Sequence, residues 1–196
     1  MRRFIEDFCL TPDHNPAPFG AFAPNAAQAA IISLAHRTRL KRGAFRPWLS
    51  RLVNLLRDGP VDVRYQDASF RFYHQASATE RGALFNPAYN IEELDFLRAH
   101  VPPGGVFVDV GANVGTYALA LARHVGAGGK VIAIEPHPVT LARLAFNNAA
   151  SGTTQVPGFL WKLERTWILT PWFMPSSTLR ICSTLAPSEA SSSISS

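Results

Sequence analysis

Val106-Phe-Val-Asp-Val-Gly-Ala-Asn-Val-Gly-Thr-Tyr117, followed by Val131-Ile-Ala-Ile-Glu-Pro136, decides how this chain is read. An apolar run of strand length enters a glycine turn. A helix-prone segment follows, then a second apolar run that ends on an acid. This is half of a βαβ unit of the nucleotide-binding kind. Val106 to Val110 is apolar except at Asp109, as expected of a strand covered on both faces in a parallel sheet. Thr116 to Val125 is predicted helical, with Gly126 where a left-handed cap is favoured. Lys130 to Ile134 is the next strand. Pro138 sits at the first turn of a further helix, which Leu141, Leu144 and Ala145 carry to about Ala149. Short loops between strand, helix and strand predict a right-handed parallel crossover.

Upstream, Pro102-Pro-Gly-Gly105 ends a helix whose apolar positions are Ile91, Leu94, Leu97 and Val101. Asn90 with Glu93 resembles an N-cap and its partner at the third helical position. Before it, Val61, Val63 and Tyr65 alternate with Asp62 and Arg64, and Phe70 and Phe72 flank Arg71. Period-two alternation on both sides of Gln66-Asp-Ala-Ser69 predicts a β-hairpin with one buried face. Ala26 to Arg42 and Pro47 to Leu56 read as helices, the second stopped by Asp58-Gly-Pro60. Residues 1–24, rich in Pro and Phe, read as irregular.

Downstream of about Ser151 the apolar-strand pattern stops. Ser and Thr dominate, three of the four tryptophans appear (Trp161, Trp167, Trp172), and Phe159 to Leu169 reads at most as a short helix. The expected organisation is therefore an irregular and helical lead-in over 1–60, half of an α/β domain over 61–150, and an atypical, disordered tail over 151–196. A shifted reading frame or aberrant splice explains such a tail, with a genuine divergent C-terminus as the alternative.

Composition sets the class. Apolar residues make up 47% of the 196 and charged residues 17%, so a packed core is expected. Lys and Arg number 19 against 14 Asp and Glu, and part of the excess lies in Arg37, Arg39, Lys41, Arg42, Arg46 and Arg51. Such a run attracts phosphate or an anionic membrane surface, although a solvated helix face is the plainer reading. Only Phe45 and Trp48 accompany it as aromatics. Cys9 and Cys182 have neither disulfide-framework nor metal spacing, and the histidines are scattered, so no metal is expected. The N-terminus is not a secretory signal and no stretch is long enough to span a membrane, which predicts a cytoplasmic protein.

The turn Gly111-Ala-Asn-Val-Gly115 dictates the ligand chemistry. Glycines let backbone approach a ligand closely, and the helix that follows aims free amides and its positive end at the crevice. A carboxylate or phosphate is stabilised there. Glu135 at the end of the next strand is placed to accept from ribose hydroxyls. A dinucleotide and S-adenosylmethionine both fit this outline. The Gly-x-Gly-x-x-Gly pattern that cradles a pyrophosphate fails at Asn113 and at Thr116, which argues against an oxidoreductase. Asp109, an acid in an apolar strand, needs hydrogen bonds to be tolerated; orienting the turn or receiving an ammonium would supply them. His137 is a general-base candidate near the crevice, with a helix-start role as the plainer reading, and Tyr117 reads as packing.

The segments Phe-Val-Asp-Val-Gly-Ala-Asn-Val-Gly-Thr-Tyr, Gly-Lys-Val-Ile-Ala-Ile-Glu-Pro-His-Pro and Leu-Ala-Arg-Leu-Ala-Phe-Asn-Asn closely resemble the FkbM family of S-adenosylmethionine-dependent methyltransferases. The resemblance covers roughly Val61 to Asn148. It implies a partial class I, Rossmann-like α/β fold with an incomplete parallel sheet behind a helical and β-hairpin lead-in. It also implies O-methylation of a small molecule or sugar, with S-adenosylmethionine as cofactor. The cofactor-binding set it implies is Asp109, Gly111, Ala112, Asn113 and Gly115 at the methionine end, and Glu135 at the ribose. No catalytic acid or base can be assigned. The family's remaining strands and substrate residues have no match after Ser151, so the expected activity is impaired by loss of the C-terminal half, and the alternative is a truncated fragment with no activity of its own. A nucleic-acid methyltransferase is suggested by a pI of about 9.7, but no target-base motif accompanies it.

Overall fold

The computed structural model describes residue 15, residues 17–153 and the backbone of Phe159–Leu160. The expectations for residues 1–14, including Cys9, and for the tail beyond Leu160, including Cys182 and the three tryptophans, lie outside the described residues. What is described is a mixed α/β structure: an N-terminal helical pair, an antiparallel hairpin, and a small parallel sheet with helices beside it.

Helix α1 (Ala26–Arg37) opens on a capping box. The Asn25 side chain accepts from the Gln28 amide, and the Gln28 side chain accepts from the Asn25 amide. The helix stops earlier than its apolar pattern suggests, because Thr38 is extended and caps a short 3₁₀ turn, Arg39–Lys41. Helix α2 (Arg46–Leu56) has Pro47 in its first turn, where a missing amide costs nothing. Gln28, fully buried, ties the two helices together by donating to the Val53 and Arg57 carbonyls.

Strands β1 (Val61–Tyr65) and β2 (Ala68–Phe72) pair antiparallel across a two-residue turn, Gln66 and Asp67. Both turn residues have positive φ, the backbone that matches the natural twist of a hairpin. The predicted hairpin forms, but β2 is buried on both faces rather than one. The reason is Arg71. Its guanidinium holds Asp62 through two bonds of 2.8 and 2.9 Å and donates to the Asn15, Ala17 and Pro18 carbonyls. It also lies over the Phe22 and Phe146 rings. With its donors occupied, the charge is tolerated inside. Burial alone would raise the Asp62 carboxyl, but Arg71 and the Phe22 and Gly20 amides outweigh it and hold it below its usual range.

Helices α3 (Ala78–Phe85) and α4 (Ile91–His100) lead to the parallel sheet. Asn90 does precede α4, but it takes the left-handed conformation and its side chain makes no capping bond. Strands β3 (Val106–Val110) and β4 (Lys130–Ile134) pair in parallel around helix α5 (Thr116–Val125), and helix α6 (Pro138–Ser151) follows. A third parallel strand, β5 (Phe159–Leu160), then pairs with β4, giving the order β3-β4-β5. The expectation that partner strands cease after Ser151, and that Phe159 begins a helix at most, is corrected here. Two residues are too short to register as an apolar run.

The sequence also predicts β3 to be covered on both faces, and this too is corrected. Phe107 and Asp109 turn toward α4 and α5. Val106, Val108 and Val110 turn away and are 53%, 49% and 73% exposed. Pleating puts alternate side chains on opposite faces, so one layer of helices covers only one set.

Helix α6 seals the outer edge of β2. The Ser151 hydroxyl accepts from the Ser69 amide and donates to the Ser69 carbonyl, and Asn147 Oδ1 accepts from the Arg71 amide. These side chains stand in for a neighbouring strand at an edge that would otherwise be unpaired. A second buried ion pair, Arg143 to Glu80 at 2.9 Å, joins α6 to α3, and Arg143 also lies over the Tyr73 ring.

Candidate functional site

The loop after β3 is a tight turn built on left-handed residues. Gly111, Asn113 and Gly115 all have positive φ. The Gly111 and Ala112 amides both donate to the Ile134 carbonyl at the end of β4, at 2.8 and 3.0 Å, and the Gly115 amide donates back to Ala112. The Asn113 side chain accepts from the Val114 amide at 2.8 Å, which stabilises a conformation that a residue with a Cβ rarely adopts. Gly115 caps α5, leaving the first amides of that helix at the turn.

The two glycines have different reasons to be glycine. A Cβ on Gly115 would lie 2.4 Å from Leu144 Cδ1 and 3.2 Å from Leu119 Cγ, so its absence lets α6 pack against the start of α5. A Cβ on Gly111 would meet nothing within 4 Å. Gly111 is exposed and borders open space. Asn113 is half-exposed beside it, whereas the Ala112 side chain is buried in the core. Of the turn residues implied to touch a cofactor, Gly111 and Asn113 are therefore the accessible ones, and Ala112 and Gly115 shape the turn from beneath.

Glu135 is brought to the turn, as its spacing predicts, but it is 7% exposed and already engaged. One carboxylate oxygen accepts from the Asn113 amide at 2.9 Å and the other from the His137 amide at 2.8 Å. It clamps the loop after β4 to the loop after β3, with lone pairs left over for a further donor. His137 is the N-cap of α6, its ring nitrogen accepting from the Thr140 amide, and this is the helix-start role. A link not visible in the sequence comes from α6: Asn147 donates to the Val114 carbonyl while accepting from Arg71, so the hairpin and the glycine turn share one side chain.

Asp109 is buried below the turn. The Ala118 amide contacts the carboxylate, but its Oδ2 has no hydrogen-bond partner. Burial, partly offset by the Ala118 amide and reinforced by the nearby Glu135 charge, pushes the carboxyl up to about 6. It opens onto a cleft of about 530 Å³ between α4 and β3, lined by Glu92, Glu93, Phe96, Leu97, Phe107 and Tyr117. Sequence reasoning missed this cleft, because α4 looks like a plain amphipathic helix and Tyr117 like packing. Its floor is apolar, its charged groups are all carboxylates, and its volume is that of a small-molecule site.

The turn, the helix N-terminus and the acid at the end of the second strand come together at the carboxyl ends of parallel strands, where open α/β sheets hold ligands. Comparison with known proteins finds similarity to methyltransferases. Over residues 109–185 it matches the methyltransferase FkbM domain, the family its motifs resemble. That match begins at Asp109 and runs past Ser151, where the sequence reading ended the family pattern. The chain is also 32% identical over 66 residues to a ribosomal RNA large subunit methyltransferase E of Sorangium cellulosum (strain So ce56). That alignment covers 34% of this chain and 31% of the relative, so the chain spans about a third of the relative's length. No solved structure matches the chain.

Proposed function

We propose that this chain binds S-adenosylmethionine at the Gly111–Gly115 turn and is built on the partial class I, Rossmann-like methyltransferase plan, with O-methylation of a small molecule or sugar as its reaction. One observation carries the cofactor reading: an open-faced, left-handed Gly111 and Asn113 lie beside a buried carboxylate with an unpartnered oxygen. That pairing suits a ligand with a carboxylate and an ammonium on one carbon. The amides of Gly111 to Gly115 are already engaged within the turn, so the first amides of α5 take the carboxylate. Asp109 Oδ2 takes the ammonium, directly or through water, and the spare lone pairs of Glu135 are left for ribose hydroxyls. A pyrophosphate would need a wider cradle than this turn offers, and it would meet Asp109 and Glu135 as repulsive charges.

When bound, the cofactor supplies an electrophilic methyl group on a sulfonium. What the chain contributes is placement. The turn fixes one end of the cofactor, Glu135 holds the two loops in register, and the open cleft beside Asp109 is the place where an acceptor is aligned. Alignment alone is worth up to roughly 7–11 kcal/mol in favourable systems. The acceptor of the ribosomal RNA relative is not carried over, since the shared stretch is a third of either chain.

Calorimetric titration of the full chain with S-adenosylmethionine and, separately, NAD tests the reading. S-Adenosylmethionine is expected to bind and NAD not. Glu135→Ala is expected to weaken binding by about 1.5–3 kcal/mol, the range for hydrogen bonds to a charged group, through loss of both the clamp and the ribose contact. Preferred binding of NAD, or unchanged affinity in Glu135→Ala, would sink it.

A further inference from the structure

Helix α2 has a second apolar face that the core does not use. Leu49 and Val53 point inward and are buried. Trp48 and Leu55, two helical turns apart on the opposite stripe, are 58% and 82% exposed, with half-buried Leu52 between them. Phe45, just before the helix, and Leu34 on α1 are exposed on the same helical pair. Exposed cations are concentrated on the same helical pair and its connecting turn. Arg37, Arg39, Lys41, Arg42 and Arg51 are all exposed, and none has a carboxylate partner among the described residues. No acid occurs in the sequence between Asp13 and Asp58. Arg46 is engaged elsewhere, donating to the Lys41 carbonyl and lying over the Tyr89 ring.

A merely solvated helix would not place tryptophan and leucine on its outer stripe within a field of unpaired arginines. The cations call for an anionic partner. Base stacking in RNA would use Trp48 and Phe45 but has no place for Leu34, Leu52 and Leu55. The boundary between lipid headgroups and acyl chains accommodates both kinds of side chain while its phosphates meet the cations. No described helix is long and apolar enough to cross a membrane, so the contact is with the surface.

We infer that the outer face of α2, with the Arg39–Lys41 turn, is a docking surface for membranes rich in anionic lipid. Trp48, Leu52 and Leu55 enter the interface, and Arg37, Arg39, Lys41, Arg42 and Arg51 sit at the headgroups. The inference is independent of the methyltransferase reading, because it uses no residue of the glycine turn.

Co-flotation of the full chain with vesicles tests it, using phosphatidylcholine alone and phosphatidylcholine mixed with phosphatidylglycerol, with a single-stranded RNA oligonucleotide as competitor. Binding is expected for the mixed vesicles only and is expected to fall as salt rises. Lys41→Ala and Arg42→Ala should each weaken it about fivefold, the loss expected for one basic side chain at an anionic surface. Leu55→Ala should weaken it without altering the thermal unfolding of the protein. Arg37→Ala with Arg39→Ala repeats the test of charge away from α2. Equal binding to both vesicle types, no vesicle binding, or RNA binding that outcompetes vesicles and ignores Leu55→Ala would overturn the inference.

Discussion

Two alanine substitutions in one turn separate a glycine needed for packing from a glycine proposed to face the cofactor. Gly115 has φ of +93° and Gly111 of +79°, so alanine is strained at both by roughly 1–2 kcal/mol. Only Gly115→Ala adds a clash. Its Cβ would sit 2.4 Å from Leu144 Cδ1, and both Leu144 and Leu119 are fully buried, with little room to yield. Overpacking of this kind costs about 1–3 kcal/mol. Gly115→Ala should therefore lose about 2–5 kcal/mol and Gly111→Ala about 1–2. Urea unfolding followed by circular dichroism reads the gap as a midpoint difference on the order of 1 M at typical slopes. Gly111→Ala should retain the fold yet lose affinity for S-adenosylmethionine, because its new methyl group occupies the open face of the turn. Equal midpoints for the two variants would refute the packing argument.

Two buried titratable groups should act on stability with opposite sign. Asp109, raised to about 6, holds its proton more tightly in the fold than in the unfolded chain, so its charging destabilises the fold as pH rises from about 4 to 6. Asp109→Asn should then be more stable than the parent at pH 7 by about 1–2 kcal/mol, after discounting for residual solvent access, and equal to it near pH 4. His74, lowered to about 4 by burial and by the Arg81 charge, is neutral in the fold, and its contribution is lost as pH falls from 6.5 toward 4. His74→Gln should flatten that acid-side loss in denaturant titrations run at several pH values; an unchanged profile would mean His74 is protonated in the fold. Glu80→Ala, which leaves Arg143 buried without its partner, should cost about 3–5 kcal/mol by the same measurement. A loss under 1 kcal/mol would show that Arg143 finds water instead.

Much of this arrangement is legible along the chain, because it is local. Period-two alternation announces β1 and β2, though their turn is two residues rather than the four read from Gln66 to Ser69, and Pro138 opens α6, which runs past Ala149 to Ser151. The apolar runs at Val106 and Val131, the glycines between them and the acid at Glu135 are enough to predict a βαβ unit and a ligand turn, since strand pairing and turn geometry follow from neighbouring residues. What sequence could not assign is anything decided by which face meets what. Gly111 and Gly115 look alike until Leu144 arrives from α6. Ala112 reads as ligand-facing until the turn rolls it into the core. Glu135 reads as free for a ribose until the Asn113 and His137 amides are found on it. Arg71 alternates with apolar residues as a solvent-facing charge would, yet it is buried against Asp62 across the hairpin, and Arg143 is buried against Glu80, 63 residues away. Burial depends on packing between elements far apart in sequence. The residue pattern therefore determined the pieces and the type of turn, and tertiary contact alone decided which side chains remain available to a ligand.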